Sequence, residues 1–98
     1  MQIGVSDKRL KLLLRTRPGD PVKDLQPYEV MSIRIRYGVL AAADSLKEVA
    51  DAHPEWRVHR WEGSKLRWSV DVAGSTRLLF NYDKKAKEIS DMIFYDPH

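Results

Sequence analysis

The side chains able to move protons or meet phosphate gather in the second half of the chain: His59, Lys65, Arg67, Arg77, Asp96 and His98. Cutting RNA without a metal needs a base for the ribose 2′-hydroxyl and an acid for the departing 5′-oxygen. It also needs cations for the charge that builds on phosphorus. Histidine and aspartate can carry the proton transfers, and arginine offers a fork of donors to phosphate oxygens. Trp56, Trp61 and Trp68 are interleaved with these cations and can stack on splayed bases. Each residue also has a plainer reading. His59 can be an ordinary half-buried histidine, and Arg77 can pair with Asp71 across a hairpin. Trp68 lies on the apolar parity of its strand and can belong to the core. Asp96 and His98 stand at the end of the sequence, where tails often fray. His53, beside Pro54, suits the negative end of a helix dipole.

Composition excludes several other chemistries. The 98 residues contain no cysteine, which removes disulfides, thiolate zinc sites, iron–sulfur clusters and thiol catalysis together. Phosphate-loop and dinucleotide glycine patterns are absent, as are serine-hydrolase signatures. The histidines, 3 in number, lack metal-ligand spacing, so neither a metal nor a cofactor is implied. The length predicts one domain spanning 1–98. No apolar run approaches the roughly 20 residues that cross a bilayer, and no apolar leader opens the chain. The expectation is therefore a cytoplasmic address without membrane contact.

Lysine and arginine total 17 against 14 acids, a modest net charge of +3, but the charge is unevenly placed. Lys8, Arg9, Lys11, Arg15 and Arg17 form one basic cluster. Arg57, Arg60, Lys65 and Arg67 form a second, and Lys84, Lys85 and Lys87 a third. The acids collect at Asp44, Glu48, Asp51 and Glu55. A basic stripe of this kind is the footprint of a nucleic-acid binder, or else a solvated face or a site for an acidic protein.

The elements that must position these residues read as helices first and strands afterwards. Residues 2–5 suit an edge strand, and Ser6 or Asp7 can cap a helix starting at Lys8. Leu10, Leu13 and Leu14 share a helical face, which ends before the turn at Arg17-Pro18-Gly19. Pro27 suits the first position of a second helix. Met31, Ile35, Val39, Ala42, Leu46 and Val49 recur at helical spacing, predicting one long helix that ends near His53-Pro54. Beyond Trp56 the period becomes two. Leu66, Trp68, Val70 and Val72 mark one strand; Leu78, Phe80 and Tyr82 mark its return; residues 89–95 give a last strand. Residues 57–61 can add one more. The reading is α+β: two N-terminal helices packed on a curved antiparallel β-sheet.

This half of the chain resembles the HigB branch of the RelE superfamily, toxins of bacterial type II toxin–antitoxin modules. The segments that carry the resemblance are Arg57-Val58-His59-Arg60-Trp61-Glu62-Gly63, Arg67-Trp68-Ser69-Val70-Asp71-Val72, Thr76-Arg77-Leu78-Leu79-Phe80 and Asp96-Pro97-His98. Lys8 to Leu14 and the long helix fall where that family has its helices, so the resemblance runs along almost the whole chain. It implies a RelE-like fold and a ribosome-dependent mRNA endonuclease that slows translation by metal-independent attack of the 2′-hydroxyl. It implies His59, Arg77, Asp96 and His98 as catalytic residues, with Lys65, Arg67, Arg60 and Trp61 as RNA contacts. The implied partners are the ribosome, mRNA and a helix-turn-helix antitoxin of the HigA kind, through which alone the toxin would meet operator DNA. Pro97 stands where the family usually has tyrosine, and Ser75-Thr76 precede Arg77 where tryptophan is common. The alternative is a non-enzymatic toxin on the same scaffold. It would be a gyrase inhibitor like the ParE branch, or a degenerate form that only binds its antitoxin.

Overall fold

The computed structural model describes residues 1–97. His98, one of the two histidines expected at the site, lies outside the described residues. The chain opens with β1 (Gln2–Val5) and continues through α1 (Lys8–Arg15), α2 (Pro27–Ala42) and α3 (Leu46–Ala52). A single 3-10 turn, Pro54–Trp56, leads into β2 (His59–Arg60), β3 (Arg67–Asp71), β4 (Arg77–Asp83) and β5 (Glu88–Tyr95). The fold is α+β, with a sheet in the order β1-β5-β4-β3-β2. The last four strands pair antiparallel, but β1 lies parallel to β5, so the sheet is mixed rather than antiparallel throughout.

Among the described residues three α-helices replace the two expected, because the long apolar stripe is not one helix. The chain leaves helical geometry at Ala43, and Ser45 caps a new helix by accepting from the Glu48 amide at 3.2 Å. The Glu48 carboxylate accepts in turn from the Asp44 amide at 2.9 Å. One free amide of the first turn and the amide just before the cap are thereby satisfied. The buried face of α2 is also not the expected one. Val30, Ile33 and Leu40 are buried, while Met31 and Ile35 are 66% and 52% exposed. Both sets recur at helical spacing, so periodicity could not choose between them. On α1, Leu10 and Leu13 are buried as expected, but Leu14 is 42% exposed.

Side chains from all three helices and from one parity of the strands form a single buried cluster. The strand members include Val70, Leu78, Phe80, Ile89, Met92 and Phe94. Trp56 belongs to this cluster and is not an RNA-stacking ring. Its indole stacks on His53 at 3.8 Å, with the Arg36 guanidinium 4.7 Å from the ring centre. Trp68 is only half-buried and packs against the cluster from outside.

Two local devices set the far end of the sheet. Asp7 caps α1 through the Arg9 amide at 2.8 Å, and its second oxygen accepts from the Phe94 amide of β5 at 3.0 Å. The Arg9 guanidinium bonds the same carboxylate and reaches the Phe94 carbonyl at 2.8 Å. Burial alone would raise the Asp7 carboxyl. The bonds from the Arg9 side chain and from the Phe94 and Arg9 amides outweigh it and hold the group below its ordinary value. Further along β5, Asp91 takes a positive φ of 52° where the register with both neighbouring strands shifts. This is a β-bulge, and its carboxylate is held by Ser6 at 2.8 Å and Asn81 at 3.3 Å.

Candidate nucleic-acid interface

Side chains alternate across a strand, so the residues facing away from the buried cluster share the opposite face of the sheet. Register places His59 beside Ser69, Ser69 beside Leu79, and Leu79 beside Ile93. One pleat further along, Asp71, Arg77 and Tyr95 stand in a second row. The short edge strand β2 is what brings His59 to this face.

Arg57 turns the chain into β2. It sits at φ 49° and ψ 54°, a left-handed conformation uncommon for a residue with a side chain. The Arg57 carbonyl oxygen lies 2.5 Å from His59 Nδ1. A carbonyl oxygen can only accept, so Nδ1 carries the proton and donates. In the neutral ring Nε2 then holds the free lone pair.

The cations on this face are organised by one carboxylate. Arg77 Nη1 donates to Asp71 Oδ1 at 2.8 Å, and Arg57 Nε lies 3.6 Å from Asp71 Oδ2. From the core side, Arg36 Nε on α2 donates to the Asp71 backbone carbonyl at 2.6 Å. Burial pulls the Arg36 guanidinium below its ordinary value, while Asp71 and Glu55 act to raise it. Asp71 is thus fixed through both its backbone and its side chain. Trp61, just past β2, reaches across the sheet: its ring centre is 5.4 Å from that of Tyr95 on β5. The Arg77 guanidinium lies 5.7 Å from the same indole. Beneath this layer Ser69 is fully buried, and its hydroxyl has no hydrogen-bond partner among the described residues.

The residues singled out from sequence fall into four places. His59, Arg60, Trp61 and Arg77 line one open cleft of about 720 Å³, together with Arg57 and Glu62. Lys65 lines a second cleft, which Arg60 also borders. Arg67 is half-buried on β3, with Asn81 as its register partner. Asp96 is exposed and follows Tyr95, and its charge helps to raise the Arg9 guanidinium, after the larger effect of the Asp7 hydrogen bond. It lines neither cleft.

Arg57, Asp71 and Ser69 were not expected at the site. Two sequence signals could have placed them. Arg57 stands two residues before His59, hence on the same strand face, and Ser69 and Asp71 occupy the non-apolar parity of their strand.

Among the described residues no group of three or more His, Asp or Glu side chains is placed to hold a metal ion. None of the described helices is long and apolar enough to cross a membrane. Comparison of the chain with protein-family models finds no match, and comparison with curated proteins finds none either.

Proposed function

We propose that the chain is a cytoplasmic, RelE-like toxin that cleaves mRNA on the ribosome. The observation that carries this reading is the contact between His59 Nδ1 and the Arg57 carbonyl oxygen. With Nδ1 donating to the Arg57 carbonyl, Nε2 is the nitrogen able to take a proton, and Arg77 lines the same cleft. An imidazole oriented in this way is a general base for a ribose 2′-hydroxyl. O2′ then bonds to phosphorus as its proton passes to His59 Nε2. Arg57 and Arg77 meet the charge that gathers on the phosphoryl oxygens. The P–O5′ bond breaks, leaving a 2′,3′-cyclic phosphate and, once the leaving oxygen is protonated, a 5′-hydroxyl. The resemblance implies Asp96 and His98 as further catalytic residues, and the acid role falls to that pair in this reading. Lys65, Arg67, Arg60 and Trp61 hold the strand, and a helix-turn-helix antitoxin is the neutralising partner.

The test is translation in a cell-free extract with message ends mapped by primer extension. Wild type produces new ends, while Arg77→Ala and His98→Ala lose them. Identical end patterns from all three proteins, or none from wild type, remove the reading.

Two observations favour a non-enzymatic alternative. Asp71 already engages Arg77, the cation assigned to phosphate, and Pro97 supplies no hydroxyl where tyrosine is usual. A toxin that only binds, such as a gyrase inhibitor, needs no free arginine there. Loss of supercoiling by purified gyrase without translation arrest selects that alternative.

A further inference from the structure

The cleft bordered by Lys65 is separate from the His59 cleft and chemically unlike it. It has a volume of about 470 Å³ and lies where β3 begins and β4 ends. Four cations border it, Arg60, Lys65, Lys84 and Lys85, against one acid, Asp83. The Asp83 carboxylate is engaged by its own turn, accepting from the Lys85 and Ala86 amides at 2.9 and 3.0 Å. Among the described residues none of the four cations makes an ion pair. Four cations against one carboxylate leave the cleft an excess of +3, as large as the net charge of the whole chain.

The wall of the cleft is aromatic. Trp68 and Tyr82 both line it, with their rings edge-to-face at 6.4 Å. The Arg60 guanidinium lies 5.9 Å from the Trp68 ring centre. A planar cation beside an indole forms a platform that can take a nucleobase of any sequence. Lysine ammonium groups beside it suit the phosphates flanking such a base, as point charges on flexible stems. Arg60 borders both clefts and joins them.

We infer that this cleft is a second nucleotide subsite, in which Lys84 and Lys85 take phosphate and Trp68 takes a base of the same RNA strand that enters the His59 cleft. The inference rests on the RNA-cleaving reading, but its test measures binding and not cleavage. The probe is a fluorescein-labelled, single-stranded 2′-O-methyl oligoribonucleotide, which lacks the 2′-hydroxyl needed for cutting. Its binding to the whole chain is followed by anisotropy across a salt series.

Lys84→Gln/Lys85→Gln weakens binding about tenfold and lowers the salt slope by roughly one to two, as expected for two lost phosphate contacts on a single strand. Lys23→Gln/Lys47→Gln removes the same charge elsewhere and changes affinity less than about twofold. Tryptophan quenching by the unlabelled oligomer persists in Trp56→Phe, whose indole is buried in the core and lines neither cleft, and falls in Trp68→Phe. Equal losses from the two lysine pairs overturn the subsite, because only the general field then matters. Quenching unchanged in Trp68→Phe overturns it too, and so does displacement of the oligomer by inorganic phosphate at equal phosphate concentration. A wild-type protein that binds in this way but yields no mapped cleavage ends keeps the subsite and removes only the nuclease reading.

Discussion

Arg77 Nη1 donates to Asp71 Oδ1 at 2.8 Å across the β3–β4 hairpin, where the two residues are register partners. Both side chains are about one-fifth exposed, 23% and 22%, so the pair is partly shielded from water. It fixes the guanidinium and also competes with any phosphate that approaches it. Asp71→Asn keeps the shape and removes the charge. The expected outcome is a split: an RNA strand binds about as well as before or up to a fewfold tighter, while cleavage slows by about tenfold as the arginines lose their anchor. Anisotropy and single-turnover cleavage measure the two arms. Weaker binding with an unchanged rate contradicts the arrangement.

The clasp between Asp7 and β5 predicts a pH-dependent stability. The Asp7 carboxyl is held below its ordinary value in the folded chain. Its contribution is then fully present above the unfolded carboxylate value of about 4. It is lost as pH falls through the lower folded value. Asp7→Asn keeps an oxygen able to cap the helix but removes the charge-assisted bonds to the Arg9 side chain and the Phe94 amide, and should cost about 2 kcal/mol near neutral pH. Urea unfolding at steps from neutral to strongly acid pH checks both points. The variant's deficit should shrink at the acid end; a constant deficit contradicts the assignment.

The choice of buried stripe on α2 can be read from two truncations. Leu40 is fully buried, whereas Met31 is 66% exposed. Leu40→Ala should cost about 2 to 5 kcal/mol, and Met31→Ala no more than about 0.5 kcal/mol. Chemical denaturation curves at one pH suffice. Comparable losses at both positions contradict the placement of this helix.

Much of this architecture was legible from residue order because local chemistry and burial agreed. Pro27 at a helix start and the period-two run through Trp68, Val70 and Val72 each had one reading, while the first helix had two candidate caps, Ser6 and Asp7, of which the structure uses Asp7. The break at Ala43–Ser45 was legible too, since Ser45 followed by Glu48 is a helix-start signature, but the apolar stripe running through it drew the reading the other way. The two α2 stripes could not be ranked without knowing what lies against the helix. At the site, His59 and Arg77 were visible as residue types. Their common cleft was not, because it depends on the left-handed turn at Arg57 and on Asp71 holding two arginines at once. Pairings of that kind join residues distant in sequence and leave no periodic trace.

The central claim is that His59, oriented by the Arg57 carbonyl, takes the 2′-hydroxyl proton. Its most direct test is single-turnover cleavage of a message on programmed ribosomes, with chemical analysis of the new ends. The wild-type chain should yield a 2′,3′-cyclic phosphate and a 5′-hydroxyl, and His59→Ala should cut about 10² to 10⁴ times more slowly. Intact message after incubation with the wild type, or His59→Ala cutting at the wild-type rate, contradicts it.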